Sequence, residues 1–266
     1  MFSHVKNRKE QSFLLSAKGF EAAFSYIQLF LEGLITTVTL SALTVLFGFV
    51  LALVLALMRM SNIRPLGFLD KPGYSGFART ISKFNPVSLI ANIYVEVFRA
   101  TPLLVQLFIV YYILLADVSL PAFKLFGIIR FERMIPGVIA LSLNSGAYLS
   151  EIIRSGIQSI DGGQTEAARS LGMTQFQNMR YIILPQAIKN ILPAIANEFV
   201  TIIKESSICW TIGVQEVMFA VNSIKSATYF IGEPLIIAAC VYFCLTFPTS
   251  KIIEYFERRM SRGDKR

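Results

Sequence analysis

The stretch from Leu34 to Met58 contains no charged residue, and this feature restricts what the chain can fold into. A helix needs about 20 consecutive apolar residues to cross the hydrocarbon core of a bilayer, so this stretch can span a membrane with some tilt. Charged residues make up only 16% of the 266 residues, against about 25% in soluble domains. The sequence therefore predicts an all-α, multi-pass membrane protein.

Four further apolar stretches extend this pattern, and together the five predict a transmembrane domain over residues 29–256. A polar tail and an interfacial amphipathic helix precede it in residues 1–28, and a basic tail follows in residues 257–266. The five spans are expected, with approximate bounds, at residues 29–58, 87–116, 134–154, 185–208 and 234–253. Pro102 and Pro193 remove helix hydrogen bonds inside spans two and four, so a kink or a break is expected at each.

The distribution of Lys and Arg predicts how the chain is oriented in the membrane. Basic residues are concentrated in the loop after span one, in the polar segment after span three and in the C-terminal tail, which five spans place on one side. The positive-inside rule makes that side the cytoplasm and puts the N-terminus outside, although the N-terminal tail is also basic. The net charge of +8 is explained by these regions, so we expect contact with membrane lipid and not with nucleic acid.

A polar, helix-forming segment, residues 161–184, separates spans three and four. Asp161 and Thr174 are each followed three residues later by Gln, which is the capping-box pattern of a helix start. Gly172 suits a helix end in a left-handed conformation, so two short helices joined at this glycine are predicted. Three side chains are expected to share one face of the second helix: Phe176, Met179 and Ile183. These residues alone support a membrane-surface helix and a docking element for another protein equally.

The spacing within this segment is similar to that of a known motif. Residues 166–168 read Glu-Ala-Ala. Three residues separate them from Gly172, nine more separate Gly172 from Ile182, and one separates Ile182 from the pair Leu-Pro at 184–185. The pattern resembles, at every defined position, the EAA motif of ATP-binding-cassette (ABC) importer permeases. Four other stretches resemble the polar amino-acid uptake branch of the histidine, glutamine and arginine type: residues 98–108, 146–160, 184–200 and 202–208. Ala100, where Gly is expected, and the unusual pair Cys209-Trp210 depart from the pattern.

The resemblance implies the type I ABC importer permease fold, with a cytoplasmic coupling helix between spans three and four. That helix would dock onto a cytoplasmic ABC ATPase dimer, to which ATP and Mg would bind. This chain lacks a G-x-x-x-x-G-K-[ST] phosphate loop, and no cofactor, metal or catalytic residue is expected on it. The coupling residues implied by the motif are Glu166, Ala167, Ala168, Gly172, Leu184 and Pro185.

Two more partners are implied by the same resemblance. One is a second permease subunit, identical or homologous, and the other is an extracytoplasmic binding protein that delivers the solute. The implied function is ATP-driven import of a polar L-amino acid across the bacterial cell membrane.

Ionisable and polar residues inside the spans are candidates for the solute path, because such groups are costly in a bilayer unless they face a cavity or a partner. The candidates are Glu96, Arg99, Asn144, Glu151, Asn197, Glu198, Glu205 and Ser206. For Glu96–Arg99 and Glu151–Arg154 the i,i+3 spacing favours local pairing over a role toward substrate. Asn144, Asn197, Glu198 and Glu205 each fit a role in the path and interhelical hydrogen bonding equally well, and Ser206 is either a ligand or a packing residue.

Three other classes of membrane protein are less consistent with the sequence. An ion-coupled secondary transporter often contains internal repeats, which are not visible here, and it would leave the EAA pattern unexplained. An intramembrane enzyme needs histidines or paired aspartates in the spans, whereas the single His and all four Asp lie in loops, at span ends or in tails. Cys240 and Cys244 are interpreted as packing residues and not as metal ligands. A gated channel for small polar solutes remains an alternative.

Overall fold

The protein is built almost entirely from helices, in a computed structural model that describes residues 15–67 and 82–261. The first half contains α1 (Ala17–Phe24), α2 (Ile27–Met60), α3 (Pro86–Ala100), α4 (Leu103–Ile109) with a π-helical turn (Val110–Leu114), and the strands β1 (Lys124–Leu125) and β2 (Ile129–Arg130). The second half contains α5 (Phe131–Gln158), α6 (Gly162–Ser170), α7 (Gln175–Asn178) with a π-helical turn (Met179–Ile183), α8 (Leu184–Glu205) with a 3₁₀ turn (Ser206–Ile212), α9 (Val217–Thr228) and α10 (Gly232–Ser261).

Parts of the expected organisation lie outside the described residues. These are the N-terminal tail through residue 14, residues 68–81 of the loop after span one, and residues 262–266 of the C-terminal tail. The described part of that tail, residues 257–261, continues helix α10, which ends at Ser261.

Some of the helices meet the length and composition of a membrane span. Among the described residues, Ile27–Met60 and Gly232–Met260 are long and apolar enough, and the pair α3 and α4 is a third candidate if it forms one span. Helices α5 and α8 are also long, but they carry charged residues such as Glu151 and Glu198 that lower their hydropathy. Such groups are tolerated in a membrane helix when they face other parts of the protein.

The two prolines expected to interrupt the spans behave differently. Thr101, just before Pro102, has extended backbone angles (φ −109°, ψ 145°), which the ring of a following proline favours. The helix axis turns by 110° at this break, so the stretch expected as one span is a sharply bent helix pair. At Pro193 the helix is not broken, since α8 continues through it from Leu184 to Glu205.

One compact unit contains the described parts of residues 1–45, 104–141 and 196–266. Its core lies between α1, the start of α2, α9 and α10. The buried carboxylate of Glu233 accepts a hydrogen bond from the backbone N–H of Ser16 at 2.8 Å, which ties the start of α10 to the start of α1. Phe30 and Ile224 are among its most completely buried side chains.

The second unit contains residues 46–103 and 142–195. Its helices approach each other closely because small residues lie at the contacts, as is common in membrane proteins. A Cβ atom on Gly48 would lie 3.3 Å from the Ser145 side chain, and one on Gly156 would overlap Ile191. Apolar residues of α2, α5 and α8 complete one core cluster of this unit: Ala52, Ala56, Leu149, Ile153, Ala187 and Ile191.

Candidate functional site

The segment that joins α5 to α8 forms two short helices whose ends are capped locally. The Asp161 carboxylate accepts the backbone N–H of Gly163 at 2.8 Å and so starts α6. At α7 the expected capping box is formed. The Thr174 N–H donates to the Gln177 amide oxygen at 2.8 Å, and the Gln177 N–H donates to the Thr174 hydroxyl at 3.3 Å. These contacts satisfy N–H groups that a helix start leaves without partners.

Gly172 makes the bend between the two helices, as its position in the sequence predicts. Its φ of +78° lies in the left-handed region, where a residue with a Cβ atom is disfavoured. Its N–H donates to the carbonyl of Arg169 at 2.9 Å, and the next N–H, of Met173, donates to the carbonyl of Ala168 at 3.0 Å. These bonds close the end of α6, so the bend has one defined geometry.

The bend presents large apolar side chains to the outside of an otherwise polar segment. Leu171 is 81% exposed, Phe176 70% and Tyr181 64%. The exposure of Phe176 contradicts the expectation that it shares a face with Met179 and Ile183, because Ile183 is buried. The π-helical turn from Met179 to Ile183 changes the angular spacing on which that expectation rested.

Behind the two helices lies a cavity of about 180 Å³. It is lined by residues at and just after the end of α5, and by residues of α6, α7 and the π-helical turn: Ile157, Ile160, Thr165, Arg169, Gln175, Asn178, Met179 and Ile183. Asn178, which is buried, donates from Nδ2 to the Thr165 hydroxyl at 3.1 Å. This bond links α6 to α7, so the two helices are joined by a polar contact as well as by the bend.

The residues implied by the EAA motif are divided between the surface and the interior of the segment. Glu166, Ala167, Gly172, Leu184 and Pro185 are exposed. Ala168 is buried. The exposed carboxylate of Glu166 and the buried Ala168 are consistent with a helix that binds another protein on one face and packs within this protein on the other.

Glu96 and Arg99, two solute-path candidates of the second unit, do not make the contact expected between them. Glu96 and Arg99 are both exposed and do not form an ion pair, so the expected local pairing is wrong for them. The Arg99 guanidinium instead lies over the Tyr148 ring, 5.6 Å from its centroid, as in a cation–π contact. Asn144 is buried and donates from Nδ2 to the carbonyl of Phe98 at 3.2 Å.

For Glu151 the expected pairing is confirmed, and a second arginine joins it. Arg154 binds the carboxylate from one turn away on α5, and Arg59 at the end of α2 donates from Nη1 to Oε2 at 2.6 Å. Arg59 also donates from Nε to Asn92 at 2.7 Å. From its position in the sequence, Arg59 belongs only to the basic residues that follow span one.

The candidates in the first unit differ in their exposure. Asn197 is exposed, Glu198 and Glu205 are partly buried, and Ser206 is fully buried. The Ser206 hydroxyl donates to the carbonyl of Ile203 at 2.7 Å, so it is engaged within its own helix. Ser206 is therefore better explained by helix geometry than by a role toward a solute.

A buried carboxylate that the sequence analysis did not select is Glu216, which is 1% exposed. It caps the start of α9, accepting the N–H groups of Met218 and Phe219 at 2.9 Å each. The Tyr242 hydroxyl donates to the same carboxylate at 2.7 Å. An acidic residue directly before an apolar helical run was the available signal, but Glu is not among the common N-cap residues.

Comparison with known proteins identifies the family. Residues 74–262 match the family described as "Binding-protein-dependent transport system inner membrane component". The arginine transport system permease protein ArtQ of Bacillus subtilis (strain 168) is 40% identical over 245 residues, covering 92% of this chain and 98% of that protein. The nopaline transport system permease protein NocM of Agrobacterium fabrum is 39% identical over 225 residues, covering 82% of each chain.

Solved structures are similar as well. The crystal structure of an amino acid ABC transporter with histidines has a TM-score of 0.75 and 43% identity, covering 90% of this chain and 98% of that one. An inward-facing MetNI methionine ABC transporter has a TM-score of 0.63 at 16% identity, which shows the shared fold. The chain belongs to the family of inner membrane components of binding-protein-dependent transport systems. It is thus a membrane-embedded permease subunit and not an enzyme, which confirms the resemblance seen in its motif.

Proposed function

We propose that this chain is the membrane-spanning subunit of an ATP-driven importer that carries a polar L-amino acid across the bacterial cell membrane. Relatives at 37–40% identity are named as permeases for arginine, glutamine and nopaline. In the proposal an extracytoplasmic binding protein delivers the solute, and a cytoplasmic ATPase dimer binds ATP and Mg. A second permease subunit, identical or homologous, completes the membrane part.

The observation that carries the proposal is the construction of the segment from Asp161 to Leu184. It is a capped, two-helix element that exposes Leu171 and Phe176. Large apolar side chains exposed on a polar surface are typical of a protein–protein contact. We assign this surface to the ATPase and place the segment on the cytoplasmic side.

The connections of this segment explain how it can transmit force. The hydrogen bond from Asn178 to Thr165 holds α6 against α7. From Gln175 onward the chain stays helical through the π-helical turn and into α8, without a flexible linker. A displacement of the bend would therefore move α8 directly, as in a shear motion of packed helices.

The proposed topology has five crossings, formed by α2, the bent pair α3–α4, α5, α8 and α10. Helix α5 has 28 residues, which at about 1.5 Å per residue exceeds the ~30 Å hydrocarbon core. The ends of α2 and α10 that carry Arg59 and Arg258 are placed in the cytoplasm by the positive-inside rule. The N-terminus is then outside.

For the solute path, Glu96 and Arg99 become stronger candidates than the sequence suggested. They lie one turn apart on α3, and both side chains are exposed. A free amino acid carries an ammonium and a carboxylate, so a carboxylate and a guanidinium at this spacing match it in charge. Asn144, Glu151, Asn197, Glu198 and Glu205 remain candidates that the contacts support less directly.

The test is ATP-dependent uptake of radiolabelled arginine and glutamine into proteoliposomes that contain this chain with its permease partner and ATPase, with the solute-binding protein supplied on the outside. Leu171→Asp should abolish co-purification of the ATPase and uptake, while the variant still inserts into the membrane. Val118→Asp is the control, because it places the same charge on an exposed aliphatic position outside the segment. Uptake that persists without ATP and follows an ion gradient would contradict the proposal.

A further inference from the structure

A small hairpin precedes α5 and has features that its own packing does not explain. Strands β1 and β2 pair antiparallel, with Leu125 opposite Ile129 and Lys124 opposite Arg130. The base is anchored, since the rings of Phe123 and Phe131 stack at a centroid distance of 4.4 Å and Ile129 is 2% exposed. The tip is therefore held in a fixed position relative to its base.

The turn at the tip contains an aromatic residue in an unfavourable backbone conformation. The N–H of Ile128 donates to the carbonyl of Leu125 at 3.2 Å, and the two residues between them have positive φ angles, 53° at Phe126 and 73° at Gly127. Glycine suits such a turn, whereas phenylalanine is disfavoured by its Cβ atom. The Phe126 ring gains no packing in return, since it is 71% exposed. Strain of this kind often marks a functional site.

The charges of the hairpin add a second unfavourable feature. Lys124 and Arg130 are directly opposed and exposed, and like charges at opposed positions destabilise a strand pair. Over the parts of the chain described, neither forms an ion pair with a carboxylate. The tip of the hairpin thus exposes one aromatic ring, and its two strands carry two exposed cations.

We propose that the hairpin from Phe123 to Phe131 is a docking point for the solute-binding protein, receiving an acidic surface with an apolar recess for the Phe126 ring. An aromatic anchor surrounded by charged groups is the usual composition of an interaction hot spot. The assignment of the partner rests on the proposed function. In that topology the segment 161–184 is cytoplasmic and α5 crosses the membrane, so the hairpin at the start of α5 lies on the extracytoplasmic side, where the solute-binding protein acts. Of the apolar side chains at the tip, Phe126 alone is largely exposed, whereas Leu125 and Ile128 are partly buried, so the tip offers a bilayer little apolar surface.

The test uses the full complex of permease and ATPase in lipid nanodiscs of phosphatidylcholine. The probe is whichever solute-binding protein of the same organism most stimulates ATP hydrolysis by the wild-type complex. The quantity measured is the concentration of this protein that gives half-maximal stimulation. The variants are Lys124→Glu with Arg130→Glu, and Phe126→Gly, which removes the ring while suiting the turn.

Each hairpin variant should raise the half-stimulating concentration at least ~10-fold, as expected for loss of a hot spot or of charge steering. ATP hydrolysis without the binding protein should not change. Phe126→Tyr should behave like the wild type, and so should Arg259→Glu, a charge reversal on an exposed cation of α10.

Three results would overturn the proposal. If the wild type is stimulated and the hairpin variants stay within twofold of it, the hairpin does not dock the binding protein. The assay is repeated in nanodiscs that also contain phosphatidylglycerol. If the variants differ from the wild type only in these nanodiscs, the hairpin binds lipid headgroups instead. A wild-type complex that no binding protein stimulates would contradict the proposed function itself, and the hairpin assignment with it.

Discussion

Arg59, at the end of α2, donates a hydrogen bond from Nη1 to Oε2 of Glu151 on α5 across 2.6 Å. Arg154 binds the same carboxylate from one turn away, and Asn92 of α3 accepts the second hydrogen bond of Arg59. Arg59 thereby connects three helices of the same unit, α2, α3 and α5. The two arginines leave a net positive cluster, in which Glu151 is the only described anion bonded to them.

Replacing this carboxylate should destabilise the protein measurably. In Glu151→Gln the side chain of Arg59, which is 9% exposed, loses its ionic partner. Breaking a buried pair costs about 3–5 kcal/mol, and partial exposure of Glu151 reduces the expected loss to about 2 kcal/mol. Thermal unfolding of the detergent-solubilised protein measures the change.

The control for that experiment is Lys251→Gln, which breaks an exposed ion pair with Glu254 on α10. Exposed pairs of this kind contribute little, so the unfolding temperature should stay close to that of the wild type. An equal loss in both variants would show that the Arg59–Glu151 contact has no special importance.

Gly172→Pro should disconnect the ATPase without unfolding the membrane domain. Proline fixes φ near −65°, whereas the bend requires +78°. The surface formed by Leu171 and Phe176 would then lose its geometry. The measurement is the amount of ATPase that co-purifies, with membrane insertion checked in parallel.

Gly162→Ala is the matched control for the bend. A Cβ atom there meets no atom within 4 Å, and the residue has no positive φ. Normal ATPase recovery is expected for it. If the ATPase also co-purifies with the Gly172→Pro variant, the bend is not part of the surface that binds the ATPase.

Gly156→Ala should weaken the packing of α5 against α8, because the added Cβ atom would overlap the Ile191 side chain. Overpacking of this kind costs typically 1–3 kcal/mol. Combining it with Ile191→Ala, which makes room for the new atom, should cost less than the sum of the two single variants. A double-mutant cycle of unfolding free energies measures this coupling, and strict additivity would contradict the contact.

Arg99→Gln should raise the KM for uptake and leave assembly with the ATPase intact. The exposed guanidinium lies over the Tyr148 ring and forms no ion pair with a carboxylate of the described residues, so it can bind a carboxylate of the solute. Loss of one charged hydrogen-bonding partner corresponds to about a tenfold change. Kinetic uptake assays in proteoliposomes separate KM from the maximal rate.

Ser206→Ala provides the contrast within the same set of candidates. Because its hydroxyl is bonded to the carbonyl of Ile203, we expect uptake kinetics close to those of the wild type. A large effect at Ser206 together with none at Arg99 would reverse the assignment of the solute path.

Much of the local structure could be predicted from the sequence, because its causes lie within a few residues. The uncharged run from Leu34 to Met58 lies within α2, and its length is set by the thickness of a bilayer. The cap at Thr174 and the bend at Gly172 follow from hydrogen bonds and backbone angles that involve immediate neighbours. The spacing of the EAA motif was sufficient to indicate the family.

The tertiary structure decided which distant groups meet. Arg59 and Glu151 are 92 positions apart, and the sequence offered Glu151 only its neighbour on the same helix. The same limit applies to Arg99, which stacks on Tyr148 instead of pairing with Glu96. Phe176 and Ile183 are separated by a π-helical turn, which a period of 3.6 residues does not include. Periodicity describes the faces of one helix, whereas the rotation and approach of its neighbours are set by packing across the whole unit.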